Sequence, residues 1–353
     1  MSVHDIIDNL QGGWIGGEGP ENDVVVSSRI RVARNLVGMS FPHLLNKEGA
    51  DRVIDSVREA VTDERFLGRA GKIDLVSMSN MSPVERQILV EKHLISPDLL
   101  NNFESKAVAI GDDEKISIMI NEEDHLRIQV LLPGLQLNEA WQLVNGVDDA
   151  LEANLDYCFS EQLGYLTACP TNVGTGLRAS VMLHLPGLVM VNQVRGLLAT
   201  VTKLGLAVRG LYGEGTEALG NLFQVSNQVT LGRTEEEVIN NLLLITRQLL
   251  EHERLSREGI YRERREIVED KVFRAYGILK HARILSAGEA MRLFSDLRLG
   301  VEMNLLAGIP PQLINELMIA SRPAYLFRTA DGKMNNYEID VCRAELIRNR
   351  IQV

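Results

Sequence analysis

Apolar residues recur at every second position in some stretches of the chain and at three- to four-residue spacing in others, and the change of period marks out the elements. Val24, Val25 and Val26 open a strand that continues through Ser27, Ser28, Arg29, Ile30, Arg31 and Val32. Residues 115–132 predict a long strand or strand pair. Ile116, Ile118, Ile120, Leu126, Ile128 and Val130 form one apolar face, and Ser117, Met119, Asn121, Glu123, Arg127 and Gln129 share the other. Helical spacing appears over residues 46–63, 82–94, 138–155 and 191–204. The second of these opens with Ser82, Pro83 and Glu85, the pattern of a capped helix start. Beyond residue 230 the pattern is helical throughout. A long helix runs over 234–254 from Thr234 with Glu237 three residues on, and a charged stretch over 253–271 suits a solvated helix with i,i+4 ion pairs. Short helices follow over 286–296, 310–320 and 338–350.

This division predicts an α+β fold. An antiparallel sheet flanked by helices over residues 24–254 is followed by an all-helical domain over 255–353. Residues 11–20 are rich in glycine, so 1–23 read as a flexible lead-in. Its glycines do not make a dinucleotide fingerprint, since no strand precedes them and no helix follows. At 353 residues, 45% of them hydrophobic, the chain is long enough for two domains or three.

Charge narrows the function. Lys and Arg number 37 against 48 Asp and Glu, a net charge of −11, which argues against a nucleic-acid binder working by bulk charge but leaves room for a local cationic pocket. Cys158, Cys169 and Cys342 are odd in number and lack metal-type spacing, which suits a reducing, cytoplasmic setting without structural zinc. The first ten residues carry Asp5 and Asp8 and do not resemble a signal peptide. The most apolar run, 181–191, is interrupted by His184, Pro186 and Gly187, so no membrane span is expected.

Candidate chemistry lies in four segments. Cys169 ends an apolar run and precedes Pro170, Thr171, Asn172, Val173, Gly174 and Thr175, with Arg178 nine residues on. A thiol at such a corner near a positive charge ionises readily; the same pattern also suits a small buried hydrophobe. The run Asn121, Glu122, Glu123, Asp124, His125, Leu126, Arg127 puts carboxylates where a strand would rarely have them. In a regular strand Glu123 and Arg127 would share a face about 13 Å apart, at roughly 3.3 Å per residue. Arg29 and Arg31 share one parity. Two adjacent guanidinium groups call for an anion between them, or for acids elsewhere on the surface. Arg209, Gly210, Leu211, Tyr212, Gly213, Glu214, Gly215, Thr216 and Glu217 form a glycine-rich loop suited to a lid carrying carboxylates. No Walker lysine motif is present, so phosphate binding would rest on arginines.

These segments, in this order, resemble the motifs of the phosphagen kinases, the family of creatine and arginine kinases, over roughly residues 24–254. The chain lacks that family's N-terminal helical domain and adds about a hundred helical residues at its C-terminal side; both departures resemble the bacterial protein-arginine kinase branch. The resemblance implies ATP-dependent phosphorylation of arginine side chains in proteins, with Mg²⁺ held through the nucleotide and the product marked for Clp-type proteolysis. It implies Glu123, Cys169 and Glu217 around the guanidinium, with Glu214 a second loop candidate. It places ATP along Ser27, Ser28, Arg29, Ile30 and Arg31, at His93 and Arg127, along Arg178, Ala179, Ser180, Val181 and Met182, and along the loop from Arg209 and Gly210 through Leu211, Tyr212 and Gly213. Residue patterns alone would leave His93 on a helix surface. Tyr212 stands where small-substrate relatives have a further arginine, which Arg209 would offset. A phosphoarginine-sensing site is implied at Asp340 and Arg343, weakened by Ile339 in place of the branch's first arginine. The branch further implies a zinc-binding activator, a Clp partner and self-association. A kinase for a small guanidino compound, or a non-catalytic regulator acting through residues 255–353, are the rival readings.

Overall fold

A computed structural model of the chain describes residues 2–210, 218–329 and 334–351. In chain order the strands are β1 (Val25–Arg34), β2 (Ile73–Ser77), β3 (Ala107–Gly111), β4 (Ile116–Ile120), β5 (Leu126–Pro133), β6 (Phe159–Ser160), β7 (Gly164–Tyr165), β8 (Leu177–His184), β9 (Leu206–Gly210) and β10 (Leu222–Asn227). Strands β6 and β7 pair separately. The other eight form one sheet in the order β2-β3-β4-β5-β1-β8-β10-β9, with antiparallel neighbours throughout. The helices are α1 (Val3–Asp8), α2 (Lys47–Ala60), α3 (Glu64–Ala70), α4 (Pro83–Glu91), α5 (Leu137–Glu152), α6 (Pro186–Met190), α7 (Val194–Lys203), α8 (Glu235–Glu263), α9 (Arg265–His281), α10 (Ala287–Glu302), α11 (Pro311–Ala320), α12 (Pro323–Thr329) and α13 (Asn336–Arg350). The fold is α+β, as the pattern predicts.

The sheet uses its two faces differently. On one, Ile30 and Val32 of β1, Ile118 of β4, Ile128 of β5, Ala179 and Val181 of β8 and Val225 of β10 are fully buried beneath α2, α5 and α8 in the main core. Among the described residues the other face is covered at its margins. Trp14 and Ile15, with α10, α11 and α13, cover Val26, Leu131, Met182 and Leu222. Helices α1 and α4 and Ala324 of α12 cover Val108, Ile110 and Met119. Between these covers lies a strip of polar side chains.

Three expectations are corrected. Residues 2–23 are not a loose lead-in. Val3, Ile6, Ile7, Trp14 and Ile15 are buried, and Trp14 Nε1 donates to Lys92 O at 2.9 Å. Lys92 returns the attachment: its Nζ donates to Ile6 O (2.6 Å) and Asn9 O (2.7 Å) and pairs with the buried Glu114 at 2.7 Å. The break expected near residue 255 falls inside α8, which runs on to Glu263 before the chain turns at Arg264. The charged stretch over 253–271 is only partly solvated. Arg265–Glu269 and Arg274–Asp270 are surface pairs, but Glu253 is fully buried, accepts from Gly187 N and Leu188 N at the start of α6, and binds Arg257 Nε at 2.6 Å.

Helix α4 meets α12 through a carboxylate. Glu91 is 9% exposed, accepts from Ala324 N at 3.3 Å, and is pushed by burial from 4.5 to about 7. The neutral form is therefore favoured on folding. Its contribution is fully present below about pH 4.5 and is lost as pH rises through about 7. We expect Glu91→Gln to be more stable than the parent by roughly 2–4 kcal/mol at pH 8, at about 1.4 kcal/mol per pH unit. The gain should vanish near pH 4. Urea denaturation at the two pH values checks it; a destabilised variant at pH 8 would contradict the sign.

Candidate active site

The polar strip follows from strand parity. Arg29 and Arg31 of β1 point away from the helix-covered core, and register places Arg178 of β8 opposite Arg31 and Ser180 opposite Arg29. Arg127 of β5 lies opposite Ala33, and the exposed Arg209 of β9 lies opposite Gln224 of β10. Side chains of the neighbouring strands hold the guanidinium groups in place. Arg29 donates to Gln224 Oε1 (3.0 Å) and Ser180 Oγ (3.4 Å), and Arg178 donates to Ser226 Oγ (3.4 Å).

Like charges gathered this closely are unfavourable without an anion. Burial and the charges of Arg29, Arg127 and Arg178 push the Arg31 pKa well down, and burial with Arg209 and Arg127 lowers that of Arg178. A guanidinium does not give up its proton in a protein, so these shifts measure an unmet demand for negative charge. The Nε atoms of Arg31 and Arg178 are also buried and make no hydrogen bond among the described residues, which leaves donors for phosphate oxygens.

His93 stands at the margin of this strip. It follows the end of α4 with φ +62°, so it is not a helix-surface residue, and its ring lies 5.6 Å from that of Trp14. Burial and the nearby charges of Arg29 and Arg322 hold its pKa down at about 3, so the ring is neutral at physiological pH.

The other expected nucleotide contacts divide by parity. Ser180 shares the arginine face. Ser27 and Met182 also fall on that side, with Met182 under the C-terminal cover. Ile30, Ala179 and Val181 are corrected: their side chains lie in the core on the opposite face. Ser28 likewise turns away, donating to Gly134 O and accepting from Gln136 N near the start of α5. Gly210 ends β9 beside Phe223. Leu211, Tyr212, Gly213, Glu214 and Glu217 lie outside the described residues.

At one end of the strip the carboxylates and the cysteine meet. Residues 121–125 form the turn between β4 and β5, entered by Asn121 at φ +58°. Glu123 and Arg127 are therefore not separated along one strand as the alternation predicts. Arg127 instead reaches back to Glu123 Oε2 at 3.5 Å. Each acid of the turn has its own task. Glu122, 1% exposed at its side chain, takes Arg127 on both oxygens at 2.6 and 2.7 Å. Asp124 accepts from Ala168 N and Asn35 Nδ2, both at 2.7 Å, which anchors the segment leading into Cys169. Glu123 is left 40% exposed at its side chain, and among the described residues it is held by Asn172 Nδ2 at 3.3 Å and by Arg127.

Cys169 sits on the same side. Its Sγ lies 3.0 Å from Thr171 Oγ1, and Asn172 of the same loop donates to Glu123 Oε2 at 3.3 Å. The loop around it is pinned by Thr230 Oγ1, which donates to Thr171 O (3.0 Å) and Val173 O (2.7 Å). Gly174 is required there: φ is +112°, and a Cβ would lie 2.7 Å from Thr230 O. The Cys169 loop and Glu123 thus meet through Asn172, at the end of the strip where Arg127 lies. Sequence reasoning missed Glu122 as the anchor of Arg127, Asn172 as the link between the two loops, and Gln224 and Ser226 as supports for the arginines. The first two lie inside the quoted motifs; the last two carried no signal before strand pairing was known.

The comparisons fit this geometry. The family model of the ATP:guanido phosphotransferase C-terminal catalytic domain matches residues 52–256. The chain belongs to the ATP:guanido phosphotransferase family. The model of the protein-arginine kinase McsB C-terminal domain matches residues 265–353. Two relatives named protein-arginine kinase, from Pelotomaculum thermopropionicum and Desulforamulus reducens, are 59% and 56% identical; each alignment covers 99% of this chain and 98% of the relative. Among solved structures, a lombricine kinase superposes with a TM-score of 0.58 at 26% identity, covering 69% of this chain and 70% of that one. The duplicated taurocyamine kinase of Schistosoma mansoni, solved with transition-state analogue components, gives 0.60 at 22% identity over 94% of this chain and 43% of its own, a likeness of fold. No helix among the described residues is long and apolar enough to cross a membrane.

In the C-terminal region Arg343 is 1% exposed and ion-paired with Asp340, and it donates to Ser321 O and Leu285 O, both at 2.7 Å. It ties α13 to the segments before α10 and α12. Asp340 is 31% exposed at its side chain, and Ile339 is buried.

Proposed function

We propose that the protein is an ATP-dependent protein-arginine kinase, transferring the γ-phosphoryl group of ATP to arginine side chains of proteins. The observation that carries this reading is the arginine strip ending at Glu123 and Cys169: a polyphosphate-binding face leads directly to an anionic end suited to a guanidinium. The relatives named for this activity match over nearly the whole chain.

Arg29, Arg31, Arg127, Arg178 and Arg209 hold the triphosphate, and His93 meets the ribose or base as a neutral ring. Glu123, Cys169 and the loop carboxylates Glu217 and Glu214 surround the substrate guanidinium. A guanidinium is a poor nucleophile while fully protonated. Orientation by carboxylates frees one terminal nitrogen to attack the γ-phosphorus in line, its proton passes to Glu123, and the bond to the β,γ-bridging oxygen breaks to release ADP. Mg²⁺ held through the nucleotide would supply further neutralisation of phosphate charge beside Arg29, Arg31, Arg127 and Arg178.

In this reading the catalytic part runs to the end of α8 at Glu263, and the helical region beyond it binds phosphoarginine at the partly exposed Asp340, with the buried Arg343 holding α13 in place. The phosphorylated proteins pass to a Clp-type protease, the setting is cytoplasmic, and a zinc-binding activator and a second copy of the chain are partners. Mass spectrometry of an arginine-rich protein incubated with Mg·ATP and the enzyme tests the activity. We expect acid-labile phosphate on arginine nitrogen; phosphorylation of free arginine alone would point to the small-substrate reading instead.

A further inference from the structure

A cavity of about 540 Å³ opens beside the acceptor end of the cleft. It shares Glu122, Glu123 and Ala168 with that end and extends away from the arginine strip, between residues 42–50 and residues 102–106. We propose that it is a subsite for the polypeptide that flanks the target arginine, and that it makes a peptide-borne arginine a better acceptor than an isolated one. The inference rests on the arginine-kinase reading of Glu123 and adds the part of the substrate beyond the guanidinium.

The lining suits a stretch of main chain with one neutral side chain. Pro42, Leu45 and Ala50 give an apolar wall, and Asn102 and Ser105 give polar groups of the kind that bind peptide N–H and C=O. Of the charges nearest the reacting end, that of Glu122 is paired with Arg127, and that of Lys106 is tethered, its Nζ donating to Asp98 O at 2.9 Å. Glu104 is exposed on the wall, so an acidic flanking residue would face both Glu104 and Glu123.

The walls are fixed before anything binds. Asn121 Nδ2 donates to Ala50 O (3.0 Å) and Ser105 O (3.1 Å), joining the two sides at the base. The turn Phe103–Ser105 is held from behind by Arg86, whose guanidinium stacks 3.5 Å over the Phe103 ring. A preformed site loses little ordering entropy on binding. An isolated guanidino compound would engage Glu123 and leave this cavity unused.

The test compares kcat/KM for acetyl-arginine amide and for a seven-residue peptide with central arginine and neutral flanks. Leu45→Trp fills the cavity from one wall, and Glu104→Trp, at an exposed position, fills it from the other with little risk to folding. In the parent the peptide should be the better substrate by about tenfold or more, the scale of a filled subsite. Each variant should lose most of that advantage while acetyl-arginine amide turns over at the parent rate. Equal losses on both substrates, or no loss on the peptide, would overturn the inference. Phosphate transfer by the parent to neither substrate would remove the arginine-kinase reading, and this inference with it.

Discussion

Replacing Glu123 with Gln should reduce kcat for phosphoryl transfer by about 10²- to 10⁴-fold, the range of a lost general base, while the thermal midpoint and the KM for ATP stay near parental values. The argument is one of division of labour within the turn. Glu122 and Asp124 are buried and hold Arg127 and the Cys169 segment respectively, so changing either would disturb the frame. Glu123 is 40% exposed at its side chain and, among the described residues, makes two long side-chain contacts, at 3.3 and 3.5 Å. Glutamine keeps its size and its oxygen for Asn172 but can neither hold the guanidinium by charge nor take its proton. Steady-state kinetics on an arginine peptide, beside a melting curve, checks this. A variant keeping more than about a tenth of kcat would place the base elsewhere.

The arginine strip was legible because parity survives any regular strand: Arg29 and Arg31 share a face whatever pairs with them. The turn at 121–125 was not, for the same reason. In the β4–β5 hairpin Ile120 stands opposite Leu126 and Ile118 opposite Ile128. Even-numbered residues therefore stay on one face across the turn, as they would in one straight strand, and alternation cannot tell the two apart. The glycines at 12–17 suggested looseness, but the burial of Trp14 beside them depends on α10 and α11, some 300 residues away, which no local pattern reports. Asp340 and Arg343 were identifiable as a pair by their spacing. That Arg343 would be fully buried, donating to carbonyls of two other segments, needed the packing of α13 against the rest of the helical region.

The second large effect concerns stability, and through it the cleft. Arg34, 2% exposed, lies at the end of β1 with its Nε 2.9 Å and an Nη 2.5 Å from Asp148 Oδ2 of α5, and another Nη donates to Ala33 O and Thr175 O. Its guanidinium carbon stacks 3.4 Å from the centre of the Tyr165 ring. Arg34→Met leaves Asp148 buried without its cation, and burial already raises that carboxyl's pKa with Arg34 present. Breaking a buried pair from one side costs about 3–5 kcal/mol, whereas replacing both partners by apolar residues costs far less. We therefore expect Arg34→Met and Asp148→Leu each to lose about that much in urea denaturation, and the double variant to lose clearly less than their sum. Additive losses would mean the two side chains act independently. The folded fraction of Arg34→Met should also be a poorer kinase. Tyr165 N donates to Gly174 O at 2.8 Å, and Arg34 donates to Thr175 O, so one side chain holds both stems of the loop that carries Cys169. Without it that loop loses its clamp against the sheet, and the thiol loses its fixed place beside Glu123.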